Sequence, residues 1–525
     1  MNRKFELFLL LLILVGGFAV RLYKIDNPIA DWHSWRQADT ASVSKTYLEK
    51  GVNLLYPRYH DISSIQTGIF NPEGYRFVEF PVYNAINAVL AGTFDNFSIE
   101  VWARLITISS ALVTGLFLYL IGKKYLGSWG GILSAFFYLF IPYNIYFTRV
   151  ILPDPFGAMC AVIGLYGFTK FIDTEKYFYL YLSGIVMALA LLIKPFYGFY
   201  LVPLIYLTDQ KFGLKKILIN NKLLTKFVAY ALVMLVPLLL WRYWEGRHPE
   251  GIPFFKWAFN GDEIRFRPAF WRWIFEERLE RLILGGWGLI LFIFGVLRPK
   301  EKNLSPFAKH RERELADCSE EFFASERFRS RRSAGRRYPD REVVGASFIK
   351  YFIFAMLLYV TIVATANVRH DYYQIVTMPA IALVLASGTV YLWQNNVFNR
   401  IAARILVIFS IPMMIMTGWL LIRDNYNVNH PEIVEAGREV DRITPKDALV
   451  IAPYDGDTAF LYQTGRWGWP AIDNSIDNII SEGASYYVSV KLGDKDTKMI
   501  EARFKTVEKT DKFIIINLRE PLIKK

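Results

Sequence analysis

The residues best suited to chemistry lie close together near the amino terminus. Two carboxylates, an imidazole, a guanidinium and two indoles occur in the run Asp31-Trp-His-Ser-Trp-Arg-Gln-Ala-Asp39-Thr-Ala41. This run follows an apolar segment, Phe5 to Val20, and polar groups so close to hydrocarbon are costly unless they have a function. A loop in this position could hold a reactive lipid head group. Interfacial anchoring is the alternative, because Trp and Arg belong at the headgroup level of a membrane.

Other polar or aromatic residues border later apolar runs. Pro155 favours extended geometry at the residue before it, which predicts a fixed, non-helical carboxylate at Asp154; an N-cap of the next helix is the alternative. Arginine can bind phosphate through two hydrogen bonds and lysine as a point charge, whereas snorkelling to lipid headgroups is the alternative for both. These candidates are Glu79, Arg149, Asp154, Lys194, Arg369, His370, Tyr372 and Tyr373.

Composition indicates a membrane protein with sizeable extramembrane parts. Of 525 residues, 53% are apolar and 16% aromatic, which is too apolar for a soluble enzyme. The net charge of +13 does not indicate a nucleic-acid partner, since Lys and Arg lie mostly in short segments between apolar runs. The two cysteines, Cys160 and Cys318, fall in separate regions, so we expect no disulfide and no metal cluster.

About eleven apolar runs approach the length of a membrane-spanning helix. The first is Phe5 to Val20 and the last Ile401 to Ile422, whereas Pro81 to Phe94 is short and predicts an interfacial or re-entrant helix. With a cytoplasmic amino terminus, alternation places the basic loops inside, as the positive-inside rule requires. The acidic and aromatic loops and the carboxy-terminal region then all lie outside. We therefore expect a multi-pass plasma-membrane protein whose chemistry faces outward.

The chain divides into two predicted domains. Residues 1–422 form the membrane domain, with a first external loop at about 21–98 and a cytoplasmic Arg-rich loop at 298–347. That loop is either a regulatory or anionic-lipid-binding segment or a disordered linker. Residues 423–525 return to soluble composition and alternate helical and strand-like runs, which predicts a small extracytoplasmic α/β domain.

Five motifs in this order resemble the GT-C type membrane glycosyltransferases, closest to glycosyltransferase family 39 with its protein O-mannosyltransferases and lipid A aminoarabinose transferases. The resemblance covers roughly residues 1–425. The motifs are Trp35-Arg-Gln-Ala-Asp39-Thr-Ala41, Glu79-Phe-Pro-Val-Tyr83, Arg149 through Pro153-Asp154, Ile193-Lys-Pro195, and Arg369-His-Asp-Tyr-Tyr373 followed by Pro379-Ala-Ile-Ala382.

The resemblance implies an inverting glycosyltransferase of the cell envelope. It would move a sugar from a polyprenyl-phosphate donor to a lipid, glycan or protein acceptor at the outer face of the membrane. Such enzymes carry one acid in the first external loop and a second after the third span, which Asp154 matches. The family's usual Asp-Glu pair would fall near Arg36 and Gln37, so the first acid is Asp39 or Asp31. A carboxylate must take the acceptor proton, and Asp39 is our expected base.

The remaining candidates would bind substrate. Arg36 lies three residues before Asp39 and could orient it, although an ordinary Arg–Asp surface pair is the alternative. Arg149, Lys194 and Arg369 would face the leaving phosphate. His33 and His370 suit hydrogen bonding better than metal ligation, Glu79 is a further acid, and both tyrosines could line the sugar or prenyl pocket. We expect no cofactor; a divalent metal is the disfavoured alternative.

Two other functional classes fit the composition. A lipid flippase or small-molecule transporter should place ionisable groups within its spans and show repeated halves with broken helices, whereas the charges here cluster at one surface. An inert membrane scaffold that carries an external domain is the third hypothesis. Replacing Asp39 or Asp154 would leave the function of such a scaffold unchanged.

Overall fold

The computed structural model describes residues 2–298, 341–394 and 397–522, and it is largely helical with one five-stranded sheet near the carboxyl end. This confirms the predicted fold class. Most of the predicted Arg-rich loop, including Cys318, lies outside the described residues, and Cys160 is buried with a free thiol. The α-helices are Arg3–Arg21, Ser34–Lys50, Val82–Thr93, Ile99–Phe140, Pro142–Phe147, Asp154–Thr174, Tyr177–Ile193, Leu201–Phe212, Leu214–Ile219, Asn221–Glu245, Trp257–Asn260, Pro268–Arg272, Gly288–Leu297, Arg341–Ile362, Ala364–Arg369, Met378–Gln394, Arg400–Ile422, Pro431–Ile443, Thr458–Gln463, Ile476–Ser481 and Lys495–Glu501.

Six helical stretches of the described chain are long and apolar enough to cross a membrane, or up to seven if one bent pair counts as a single span. The predicted number of about eleven is therefore not confirmed. Two predicted spans correspond to helices of 17 and 12 residues. The first is at the lower limit of the length that crosses a bilayer, and the second is below it. The six stretches are Ile99–Phe140, Asp154–Thr174, Asn221–Glu245, Val344–Ile362, Asp371–Gln394 and Arg400–Ile443, and the short helices are Tyr177–Ile193 and Leu201–Phe212.

The long helical stretch Ile99–Phe140 turns back on itself at Gly127. That residue has φ +77° and ψ −179°, a conformation that glycine adopts without steric cost. The two halves then pack closely through small residues: a Cβ added at Gly131 would lie 2.7 Å from the Tyr119 carbonyl oxygen. The second and third predicted spans, Val101 to Ile121 and Trp129 to Tyr146, therefore correspond to the two arms of one hairpin.

The carboxy-terminal region forms a mixed sheet flanked by short helices. The strands are β1 (Leu449–Ile451), β2 (Trp467–Trp469), β3 (Ala484–Ser489), β4 (Phe504–Lys509) and β5 (Ile514–Pro521). Their order is β2-β1-β3-β5-β4, with β1 parallel to both β2 and β3, and β5 antiparallel to β3 and β4. The sequence predicts strands at 448–452, 486–490 and 512–518, which correspond to β1, β3 and β5, but it does not predict the two edge strands, β2 and β4.

The first loop fastens this sheet to the membrane helices. Asp61 forms a parallel bridge with Gly468 in β2, and Ile62 packs into the apolar core of the sheet. The backbone amide and hydroxyl of Ser64 both donate to Asp473 Oδ2, at 2.8 and 2.7 Å. The carboxy-terminal domain is thus held over the loop that carries the candidate residues.

The membrane orientation predicted from the basic loops can be tested by cysteine labelling. In a variant without Cys160 and Cys318, we expect Asp494→Cys, an exposed position of the carboxy-terminal domain, to react with a membrane-impermeant thiol reagent on intact cells. Lys216→Cys, also exposed, should react only after permeabilisation, because its basic loop is predicted to be cytoplasmic. The opposite pattern would reverse the predicted orientation.

Candidate functional site

The helix Ser34–Lys50 positions the first group of candidate residues. His33 precedes it in the left-handed region, with φ 56° and ψ 39°, a conformation that is uncommon for a side-chain-bearing residue. This bend directs the chain from the first membrane helix into a buried helix whose inner face includes Arg36 and Asp39. Gln37 Nε2 donates to Asp31 Oδ1 at 2.6 Å and so secures the bend.

Both carboxylate oxygens of Asp39 are bound within the fold. Arg76 Nη2 donates to Oδ2 at 2.6 Å, and the hydroxyl of Thr458, from the carboxy-terminal domain, donates to Oδ1 at 2.7 Å. Asp39 is only 1% exposed. The expected Arg36–Asp39 pair is replaced, in the described structure, by an Arg36–Glu79 ion pair. Asp39 therefore joins the first loop to the carboxy-terminal domain.

A cavity of about 970 Å³ opens beside this helix. Its wall includes a cluster of charged side chains, which we call the charged end: Arg36, Glu79, Asp154 and Lys194. Aromatic and aliphatic side chains and residues of the carboxy-terminal domain line the rest. Among the predicted site residues the cavity brings together Arg36, Glu79, Asp154, Lys194, Tyr372 and Tyr373. The apolar wall includes Phe77, Ile193, Phe196, Phe254, Phe255 and Phe259, and the carboxy-terminal side is Asp455, Gly456, Asp457 and Thr458.

An ion pair between Lys194 and Asp154 lies at the charged end. The Lys194 ammonium also lies 4.3 Å from the ring centre of Tyr373 and 5.2 Å from that of Tyr372, within the range of a cation–π contact. The predicted extended geometry of Asp154 is wrong, because Asp154 is the first residue of the helix Asp154–Thr174. Pro155 is tolerated there since the first-turn amides of a helix have no intrahelical partner.

Asp31 and Arg149 are placed together, away from the described cavity wall. Arg149 Nη1 lies 3.4 Å from Asp31 Oδ2, both side chains are fully buried, and the guanidinium lies over the Tyr426 ring at 4.9 Å. Burial raises the pKa of Asp31, although the charges of Arg104 and Arg149 oppose the shift. Arg369 is exposed and pairs with Asp262 at 3.1 Å. None of these three residues lines the cavity in the described structure.

The two candidate histidines lie side by side, in contact with a tyrosine that lines the cavity. Their ring centres are 5.8 Å apart, and each packs against Tyr372. Burial lowers the pKa of His33 to about 4 and that of His370 to about 4, so both are neutral at physiological pH. Asp371, which follows His370, forms an ion pair with Arg278. This packing supports the tyrosines that line the cavity.

Sequence reasoning missed several residues of this region. Asp371 lies within the motif Arg369-His-Asp-Tyr-Tyr373, so its charge could have marked it as a candidate site residue. Arg76, Glu245, Arg278 and Thr458 carry no local pattern; each reaches the site only through tertiary packing. In the described part of the chain, no group of three or more His, Cys, Asp or Glu side chains is arranged to hold a metal ion. The expectation of a metal-free reaction stays a prediction.

Comparison with known proteins finds one matching family and several similar solved structures. Residues 81–241 match the family described as dolichyl-phosphate-mannose-protein mannosyltransferase. ArnT from Cupriavidus metallidurans, solved with bound undecaprenyl phosphate, has 13% identity and a TM-score of 0.56, covering 98% of each chain. The oligosaccharyltransferase of Archaeoglobus fulgidus, solved with Zn and sulfate, has 11% identity and a TM-score of 0.54 over 95% of this chain and 71% of that one. No curated protein matches in sequence.

The resemblance to GT-C type glycosyltransferases of family 39 is confirmed. The family match runs from Pro81, just before the helix Val82–Thr93, to Trp241, within the helix Asn221–Glu245, and it includes Asp154 and Lys194. The two structural likenesses show the GT-C fold across membrane and carboxy-terminal parts. Together these findings indicate a glycosyltransferase.

The carboxylate of Asp457 predicts that the stability of this protein depends on pH. Burial, with a smaller contribution from the charge of Asp39, raises the pKa of Asp457 from 3.8 to about 6, against the Ala459 amide and the Ser34 hydroxyl. A raised folded-state pKa stabilises the fold below pH 3.8, and this contribution is lost as the pH rises through 6. We expect the free energy of unfolding of the wild type, relative to Asp457→Asn, to fall by about 2 kcal/mol from pH 4 to pH 6.5.

Thermal unfolding in detergent at a series of pH values measures this difference. Asp494→Asn, at an exposed position of the same domain, serves as the control. A difference between wild type and Asp457→Asn that stays constant across the range would contradict the prediction.

Proposed function

We propose that this chain transfers a sugar, with inversion, from a polyprenyl-phosphate donor to a lipid, glycan or protein acceptor at the outer face of the plasma membrane. The observation that carries the proposal is the cavity, because charged side chains and many aromatic and aliphatic side chains line it together. A polyprenyl phosphate has the same two parts, a phosphate and a hydrocarbon chain. The bound undecaprenyl phosphate of the ArnT structure supports this choice of ligand class.

Lys194 is the proposed partner of the donor phosphate. Its ammonium lines the cavity and is held by one carboxylate and two aromatic rings. Arg36 lines the same end and can donate further hydrogen bonds. The prenyl chain would lie along Phe254, Phe255 and Phe259, which are 63%, 57% and 39% exposed.

Asp154 is the proposed base. A general base must come within hydrogen-bond distance of the proton that it removes, and Asp154 lines the cavity, whereas both oxygens of Asp39 are already bound. When the donor phosphate competes for the Lys194 ammonium, the Asp154 carboxylate is released from its ion pair. We assign Asp39 the role of holding Arg76 and the carboxy-terminal domain in place.

In the proposed reaction the acceptor hydroxyl oxygen attacks the anomeric carbon from the face opposite the phosphate. The carbon–oxygen bond to the phosphate breaks, the lipid phosphate leaves with the electron pair, and the hydroxyl proton passes to Asp154. Lys194 and Arg36 offset the charge that grows on the departing phosphate. The proposed reaction needs no metal, so turnover should survive treatment with a chelator.

The experiment incubates purified protein with a panel of polyprenyl-phosphate sugars and measures release of the free lipid phosphate, with and without chelator. Asp154→Asn should lower turnover about 100-fold or more, the usual contribution of a general base, with donor affinity retained. Lys194→Ala should lower both turnover and donor affinity, because the phosphate loses its cation.

Lys446→Ala serves as the control, since Lys446 pairs with Asp441 on the exposed surface of the carboxy-terminal domain. Full activity of Asp154→Asn together with loss of activity in Asp39→Asn would show that Asp39, and not Asp154, is the general base. Activity that a chelator abolishes and Mn²⁺ restores would contradict the metal-free reaction.

A further inference from the structure

The end of the helix Asn221–Glu245 carries a buried carboxylate that the proposed reaction does not use. Glu245 is 3% exposed and lines the cavity. Its Oε1 forms an ion pair with Arg242, one turn earlier on the same helix. Its Oε2 is buried and has no hydrogen-bond partner within the described part of the chain. Buried polar atoms are nearly always hydrogen-bonded, so an unpaired carboxylate oxygen at a cavity wall requires an explanation.

Neighbouring contacts place Glu245 close to the charged end of the cavity. Trp241, one helical turn before it, packs against the Phe80 ring at a centroid distance of 4.9 Å. The Phe80 amide donates to the Leu192 carbonyl at 3.0 Å, two residues before Lys194. Phe80 also follows Glu79, the partner of Arg36. Lys194 and Glu245 therefore lie on neighbouring segments that line the same cavity.

The end of this helix is also fixed in position. The Trp244 indole donates to the Leu55 carbonyl at 2.8 Å, and Phe77, which lines the cavity, packs against Trp241 at 5.7 Å. A carboxylate held in this way loses little side-chain freedom when a ligand binds, which favours selective recognition. The adjacent Arg242 guanidinium, itself on the cavity wall, disfavours a cation as the ligand.

We infer that Glu245 is a specificity-determining residue that accepts a hydrogen bond from a hydroxyl of the donor sugar through Oε2. The inference rests on the proposed function, and it identifies the residue that recognises the donor sugar. A carboxylate accepts strong hydrogen bonds from hydroxyls, and a site built to bind a hydroxyl discriminates strongly against a ligand without it. The aromatic ring of Phe77 provides an apolar surface beside it. Glu245 contributes to recognition and takes no part in the proton transfer.

The test measures equilibrium binding of two kinds of lipid to purified protein in detergent. One is the best-bound of three polyprenyl-phosphate sugars carrying mannose, glucose or arabinose, and the other is the sugar-free polyprenyl phosphate. We expect the wild type to bind the sugar-bearing lipid more tightly. Glu245→Gln, which keeps the shape but replaces an acceptor, should reduce that preference about tenfold, with affinity for the sugar-free lipid changed less than twofold.

Glu245→Asp retains the charge and should keep more of the preference than Glu245→Gln. The matched control is Glu277→Gln, which removes a similar Arg–Glu pair on the helix Trp273–Ile283, away from the described cavity wall. An unchanged preference in Glu245→Gln would overturn the inference, as would an equal loss of affinity for both lipids, which marks a structural role. A wild type that binds neither lipid would overturn the proposed function itself.

Discussion

The ion pair between Lys194 and Asp154 is the interaction on which the arrangement of the site depends. The side chains of these residues are 13% and 2% exposed, so each charge would be costly without its partner. Lys194 ends the helix Tyr177–Ile193 and Asp154 begins the helix Asp154–Thr174. The pair therefore joins the start of one helix to the end of another, where the backbone groups lack intrahelical hydrogen-bond partners. Tyr197 reinforces this junction by donating its hydroxyl to the Asp154 carbonyl at 2.7 Å.

Around this pair, the cavity wall is assembled from parts of the chain that are far apart in sequence. The first loop supplies Arg36 and Glu79 as a second ion pair, and the carboxy-terminal domain supplies Thr458. Thr458 also donates to Asp39, which in turn holds Arg76. Displacing the carboxy-terminal domain would thus remove part of the wall and leave a buried carboxylate without one of its donors. We regard this domain as part of the site and not as an independent appendage.

The sequence predicted the fold class, whereas six of its twelve candidate site residues line the cavity and the side-chain pairings were predicted less well. Apolar runs and basic loops report membrane helices directly, and motifs at the ends of those runs identified Arg36, Glu79, Asp154, Lys194, Tyr372 and Tyr373. Pairings depend on side-chain direction, so Arg36 was assigned to Asp39 although it bonds Glu79. Arg149 and Asp31 border a span just as Lys194 does, yet they pack against each other in the interior. No sequence motif identifies Glu245 or Thr458 as a site residue, because only the tertiary structure brings them to the cavity.

A structure determined with bound polyprenyl phosphate would test the central claim most directly. The account predicts the phosphate at the charged end of the cavity, within hydrogen-bond distance of Lys194 Nζ, with the prenyl chain against the wall of Phe254 and Phe255. Asp154 should then have lost its contact with Lys194 or share it with the phosphate. A phosphate bound outside the cavity, with the Lys194–Asp154 pair intact, would contradict the account.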